Sequence, residues 1–263
     1  MLLILGGKGY LGSNFFEYCL TTGIEARLVD SRNPDWLSSV REEIEAIVDF
    51  SMPNRRINMA NPHSFEAFTV NYEKVLKNII QNQMRLIRIT SAFDIAEYYR
   101  KDLYTATSKK ISNMIRSRYQ SDNFLVVYCH ALYGGINSTS FIDQLALDSD
   151  LRESDLNHNT ARDYIFIEDF CEWLIQAIET GRKGEVEIGT AKPYLNSSIR
   201  HFLKSKQSTL NNVQIGDPSL KNLILKSRFC SLQGKHVDQV TQIQIIDRLP
   251  EYLTTSLKSY DLE

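Results

Sequence analysis

Gly6, Gly7, Gly9 and Gly12 fall within seven residues, although the 263-residue chain holds only 12 glycines. They sit between the apolar run Leu2 to Leu5 and the amphipathic stretch Leu11 to Thr22. The spacing Gly6-x-x-Gly9-x-x-Gly12 lets a chain turn tightly out of a strand, admit a pyrophosphate against the backbone, and pack the next helix close to that strand. The phosphates would meet N–H groups at the positive end of the helix. Turns also collect glycine for backbone reasons alone, so the second signal matters. Asp30 ends the next apolar run, 18 residues after Gly12, where a carboxylate accepts hydrogen bonds from an adenosine ribose. Together these predict dinucleotide binding by Gly6, Gly9, Tyr10, Leu11, Gly12 and Asp30. Asp30 repels a 2′-phosphate and favours NAD; Arg32, two residues on, is placed to admit NADP instead.

The elements that must hold this turn are legible as alternation. Strands are expected at Leu2 to Leu5, Ala26 to Val29, Ala46 to Phe50, Leu86 to Thr90 and Phe124 to Cys129. Between them, Leu11 to Thr22, Ser64 to Gln83 and Ile95 to Tyr119 space apolar residues three and four apart, as helices with one buried face do. Strand and helix in alternation give an α/β protein with a doubly wound parallel sheet. After about Gly134 the alternation loosens. A helix at Ile167 to Glu179, a strand around Val186 to Ile188 and a helix near Pro250 to Lys258 remain. The expected division is a dinucleotide-binding core over residues 1–133 and a smaller C-terminal substrate lobe over 134–263, with elements that return to the core.

Composition excludes several classes. The chain is 43% hydrophobic and 24% charged, with 30 Lys+Arg against 32 Asp+Glu, which suits a globular domain and offers no general reason to bind nucleic acid. No apolar run approaches the roughly 20 residues that cross a bilayer. The opening Met1 to Leu5 lacks a basic lead and runs into glycines, so it reads as a buried strand rather than a signal peptide. Cys19, Cys129, Cys171 and Cys230 stand apart with no C-x-x-C pair, which suggests neither a metal site nor a disulfide framework and points to the cytoplasm.

With these residues in place, the sequence resembles the extended short-chain dehydrogenase/reductase family, the NAD-dependent epimerases, dehydratases and reductases of nucleotide sugars. Its Leu5-Gly6-Gly7-Lys8-Gly9-Tyr10-Leu11-Gly12-Ser13 is similar to that family's opening. Further matches follow in order: Asn61-Pro62 with Val70-Asn71, Ile89 to Ala92, Leu132-Tyr133-Gly134, Arg162 to Asp169, and Glu187 to Thr190. The resemblance covers about residues 1 to 200 and implies a Rossmann-type core. It also implies that Arg162 contacts the diphosphate of a nucleotide sugar, a task suited to a planar guanidinium fork. The plainer reading is a solvated Arg162–Asp163 pair at a loop–strand junction.

The departures concern catalysis. The family carries Tyr-x-x-x-Lys on one helix face, the tyrosine moving a proton and the lysine holding the ribose while lowering the phenol pKa from about 10. Here the run is Leu103-Tyr104-Thr105-Ala106-Thr107-Ser108-Lys109-Lys110, so pairing with Lys109 puts Thr105 at the tyrosine position. Tyr104 stands five residues from Lys109, about 140° off its face at roughly 100° per residue. Only unwinding, or a Tyr104 placed before the first turn, restores the pair; Tyr104 with Ser108 keeps the spacing and loses the cation. Thr90 or Ser91 takes the place of the family's supporting hydroxyl. Twelve residues separate Ser91 from Tyr104, too few for the family's usual lid, and a short Asp30 to Ala46 segment leaves little room for the relatives' extra strand and helix.

Other side chains weigh less. Tyr98 and Tyr99 read as helix-surface or core aromatics, and His63 and His130 as hydrogen-bonded structural histidines. Arg55 and Arg56 follow the third strand, where ligand loops lie, and serve equally as a solvated turn. The resulting expectation is NAD(P)-dependent epimerisation, dehydration or keto reduction of a nucleotide sugar, in surface polysaccharide synthesis. Lys109 would orient the ribose, Thr90 or Ser91 would polarise the reacting oxygen, and Tyr104 would be a displaced acid/base. The alternative is a degenerate dinucleotide-binding sensor or partner subunit. The resemblance further implies a homodimer through the Ser64 to Gln83 and Ile95 to Tyr119 helices.

Overall fold

The computed structural model describes residues 1–30, 32, 36–37, 40, 43–52, 61–92, 103–118, 123–138, 140–147, 160–205, 210, 224–225 and 240–260. Seven strands form the main sheet: β1 (Leu2–Leu5), β2 (Ala26–Val29), β3 (Ala46–Asp49), β4 (Leu86–Ser91), β5 (Phe124–Cys129), β9 (Gly184–Gly189) and β12 (Val240–Gln244), in the order β12-β9-β5-β4-β3-β1-β2. The β1–β2, β1–β3 and β3–β4 pairs are parallel, with Leu5 opposite both Val29 and Asp49. Continuous apolar runs suit such strands because both faces are covered, and β1 and β3 are buried at every position. β2 ends the sheet and is half exposed.

The chain divides into two compact units, residues 1–128 with 173–186, and residues 129–172 with 187–263. In the first, helices α1 (Tyr10–Thr21), α2 (Pro62–Gln81) and α3 (Leu103–Arg118) connect successive strands. α1 and α2 end alike. Past α1 the Gly23 and Ile24 amides donate back to Leu20 O and Cys19 O; past α2 the Gln83 and Met84 amides donate to Ile80 O and Ile79 O. This two-bond closure needs a left-handed residue, supplied by Gly23 (φ +75°) and, without glycine, by Gln83 (φ +53°). Arg85 ties the end of α5 (Ile167–Glu179) to this unit, donating to Ile178 O at 2.6 Å, Arg182 O at 3.0 Å and Ala177 O at 3.1 Å.

The second unit holds β6 (Ala131–Tyr133), β7 (Thr160–Arg162), β8 (Tyr164–Phe166), β10 (Tyr194–Leu195) and β11 (Ile224–Leu225), with helices α4 (Phe141–Leu147), α6 (Asn196–Ser205) and α7 (Leu249–Tyr260). Its core gathers Tyr133, Tyr164, Tyr194, Phe202, Leu249 and Leu253. Asp143, in the first turn of α4, accepts from Gly134 N, Ser138 Oγ, Ser140 Oγ and Tyr252 Oη, which pins the loop after β6 to α7. Among the described residues no helix is long and apolar enough to cross a membrane, and no cluster of His, Cys, Asp and Glu could hold a metal ion.

The expected elements are present with modest shifts at their ends. The helix expected at Ile95 to Tyr119 is described only from Leu103, and the loop arginines Arg55 and Arg56 and the tyrosines Tyr98 and Tyr99 lie outside the described residues.

Candidate functional site

The order β2-β1-β3 makes β1 the strand from which the chain winds both ways, and ligands of such sheets lie at the carboxyl ends of the strands beside that point. Gly6 follows β1 there. Its φ of +76° is one that glycine alone adopts readily, and an added Cβ would stand 2.7 Å from Phe50 C and Ser51 N. Gly12, buried in the first turn of α1, would place a Cβ 2.5 Å from Gly6 O and 2.7 Å from Gly7 Cα. The fold itself therefore demands both glycines.

Gly9 differs. It is exposed, its backbone is extended (φ −82°, ψ 165°), and an added Cβ would meet only Gly6 O, at an ordinary 3.4 Å. It is the N-cap of α1 and supplies no side-chain cap to the helix amides. Among the described residues no contact requires glycine at this position. The open backbone beside an uncapped helix N-terminus suits the charge of a pyrophosphate.

Asp30 and Arg32 face each other at the end of β2. Arg32 Nε and Nη2 donate to the two carboxylate oxygens at 2.8 and 2.6 Å. That hydrogen bonding holds the Asp30 carboxyl at about 2, well below its ordinary value, and raises the Arg32 guanidinium. The two groups that the sequence set in opposition over cofactor choice thus occupy one another, both largely exposed.

On α3 the helix is regular from Leu103, so Tyr104 lies inside it and the displacement from Lys109 stands. The Tyr104 ring meets Phe65 of α2 edge-on at 6.5 Å between centroids. Thr105 is buried one turn before the half-buried Lys109. Thr90, near the carboxyl end of β4, shares a 2.7 Å hydrogen bond with Ser108, while Ser91 beside it is half-buried. The structure thus brings Thr90 and Ser108 together and leaves Tyr104 against α2. Ser108, weighed in the sequence only as a partner for Tyr104 one turn away, is instead the partner of Thr90.

A feature missed in the sequence is a buried ion pair. Arg88, in the middle of the apolar β4, donates to Asp49 Oδ2 of β3 at 2.7 Å, with both side chains almost wholly buried. Tyr72 of α2 donates to the same oxygen at 2.6 Å. Burial alone would lower the guanidinium pKa; the Asp49 carboxylate, together with the Tyr72 and Tyr104 phenols, more than offsets this and holds it above its ordinary value. A charged residue inside an apolar strand was the available signal.

In the second unit Arg162 is half-buried at the end of β7, and its Nε is enclosed without a hydrogen-bond partner. Asp163 does not pair with it. Fully buried, Asp163 accepts from the Thr190 amide and hydroxyl and the Ala191 amide at 2.6–3.0 Å. The reading of Arg162 and Asp163 as one solvated pair is thereby corrected: the carboxylate is consumed by the turn after β9. His130 is buried with Glu187 at 3.0 Å, while His63 is exposed, its nearest carboxylate Glu66 at 3.9 Å.

In sheet order the chain has a doubly wound α/β fold like that of NAD-dependent dehydratases and epimerases of nucleotide sugars. No family model matches the chain, and no curated protein is similar to it in sequence. Solved structures are similar in shape. MoeE5 in complex with UDP-glucose and NAD is 15% identical at a TM-score of 0.66, over 100% of this chain and 99% of that one. The dTDP-glucose 4,6-dehydratase of Bacillus anthracis in complex with NAD is 13% identical at 0.63, over 100% and 96%. The L-threonine dehydrogenase of Phytophthora infestans is 13% identical at 0.66, over 98% and 99%, so the same fold also serves a substrate that is not a sugar nucleotide.

Proposed function

We propose that the chain is an NAD-dependent enzyme that epimerises, dehydrates or reduces a nucleotide-linked sugar. The observation that carries the cofactor is the split among the glycines: Gly6 and Gly12 are required by the fold, and Gly9 leaves the helix N-terminus open for a pyrophosphate. When bound, the nicotinamide supplies hydride exchange with a sugar carbon. Asp30 accepts from the adenosine ribose once Arg32 gives way, and Lys109 orients the nicotinamide ribose. Thr90, held by Ser108, and Ser91 polarise the reacting oxygen.

The nucleotide sugar is supported by the half-buried Arg162, whose planar guanidinium fork suits a diphosphate, and by the UDP-glucose named for MoeE5. Surface polysaccharide synthesis is the setting this reading expects. Homodimerisation through α2 and α3 belongs to the same proposal, supported by exposed Val70 and Leu103 on those helices.

The experiment is calorimetric titration of NAD(H) and NADP(H) into the wild type and Gly9→Val. NAD(H) is expected to bind more tightly than NADP(H), and a folded Gly9→Val to bind neither. Unchanged binding in the variant removes the site. NAD binding without turnover of any nucleotide sugar favours the sensor reading.

A further inference from the structure

Gly6 rests on Ser51, and Ser51 is gripped from below. Its amide and hydroxyl donate to Asp49 Oδ1 at 2.8 and 2.5 Å, and its carbonyl accepts from Arg88 Nη1 at 2.5 Å. All three polar groups of the residue that faces the glycine turn are thus fixed by one buried ion pair. Asp49 and Arg88 are cross-strand neighbours in the β3–β4 register, and Tyr72 fastens the other Asp49 oxygen to α2.

Stability does not explain such a pair. Apolar side chains of similar volume are often as stable in a core, because desolvating two charges offsets their attraction. Arg88 also leaves its own Nε buried and without a hydrogen-bond partner, a further cost of aiming the guanidinium at Ser51 and Asp49. What the pair does deliver is a fixed position for Ser51, with no slack above it, since even one added carbon on Gly6 would stand 2.7–2.8 Å from the Ser51 backbone.

We propose that Arg88 and Asp49 are positioning residues for the dinucleotide, setting the floor of the Gly6–Gly12 turn through Ser51. The inference rests on the cofactor reading above and adds to it two residues that touch no ligand. Letting Ser51 move lets Gly6 move, and with it the helix N-terminus that meets the phosphates.

The test is the double variant Arg88→Met with Asp49→Asn, which removes both charges and keeps an oxygen for Ser51 to donate to. NADH binding is followed by its fluorescence and by calorimetry, and amide hydrogen exchange is read at Ser51 and Met52. The expected result is a folded protein that binds NADH at least tenfold more weakly and exchanges those amides at least tenfold faster. Arg88→Lys, which keeps a cation on Asp49, is expected to recover part of both. NADH affinity within twofold of wild type in the folded double variant overturns the proposal. Should the double variant not fold, Tyr72→Phe decides: it removes one bond to Asp49 and is expected to weaken NADH at least threefold, and unchanged affinity overturns the proposal. Wild-type protein that binds no dinucleotide overturns the cofactor reading and this inference together, whereas tight binding in wild type and variants alike overturns only the inference.

Discussion

Thr90 and Ser108 share a 2.7 Å hydrogen bond between the carboxyl end of β4 and the second turn of α3. Both residues are buried, so the bond fixes the helix that carries Tyr104, Thr105 and Lys109 against the strand that carries Ser91. Thr90→Val removes one end and is expected to cost about 1–2 kcal/mol in urea unfolding. Because the two residues are in contact, Thr90→Val with Ser108→Ala should cost less than the sum of the single changes. Additive losses would show that the bond contributes nothing.

Tyr104→Phe is expected to leave turnover of a nucleotide sugar within about threefold of wild type. A true acid/base contributes about 10²- to 10⁴-fold, and Tyr104 faces Phe65 from a regular helix. A hundredfold loss would place Tyr104 in the chemistry. Thr105→Tyr is not a clean restoration, because Thr105 is buried and a ring there must displace its neighbours.

Asp30→Ser releases Arg32, and the ratio of NADP(H) to NAD(H) affinity should rise at least tenfold in calorimetric titration. With its carboxyl held at about 2 by Arg32, Asp30 stays ionised from pH 4 to 8. Its folded pKa is depressed, so its contribution to NAD binding should be constant across that range and fade only as the pH falls towards the lowered value. A loss of NAD affinity centred near pH 4 would show that the Asp30–Arg32 contact is absent in solution.

The glycine turn and the strands around it were legible because their signals are local: spacing within seven residues and apolar runs broken by amphipathic stretches. Partnerships across distance were not. Arg162 and Asp163 are neighbours in sequence, yet Asp163 is committed to Thr190 across a turn that no local pattern marks. Arg88, a charge in an apolar run, was missed in the sequence; its partner Asp49 is 39 residues away, and only the β3–β4 register joins them. Tyr104 was legible for the opposite reason, since helical geometry fixes which face each residue takes.

Arg85→Met should destabilise the protein by about 2 kcal/mol, measured by thermal or urea unfolding. The guanidinium caps carbonyls at the end of α5, where positive charge is favoured and the acceptors otherwise lose a charged partner. A change below about 0.5 kcal/mol would show that water replaces it.

Val70→Glu, on the exposed face of α2, is expected to leave the protein folded and convert a dimer to a monomer in sedimentation equilibrium. A wild type that is monomeric at all concentrations removes the dimer proposal.

The unequal demands on the three glycines also bear on how related sequences can drift. A chain that exchanges Gly6 or Gly12 must rebuild the contact between strand and helix, whatever the protein does. On the cofactor reading proposed above, a chain that exchanges Gly9 keeps its architecture and loses the opening for a phosphate. Descendants that abandon the dinucleotide should therefore keep the outer two glycines and vary the middle one, which makes Gly9 the position to inspect when a sequence of this fold is asked whether it still binds anything there.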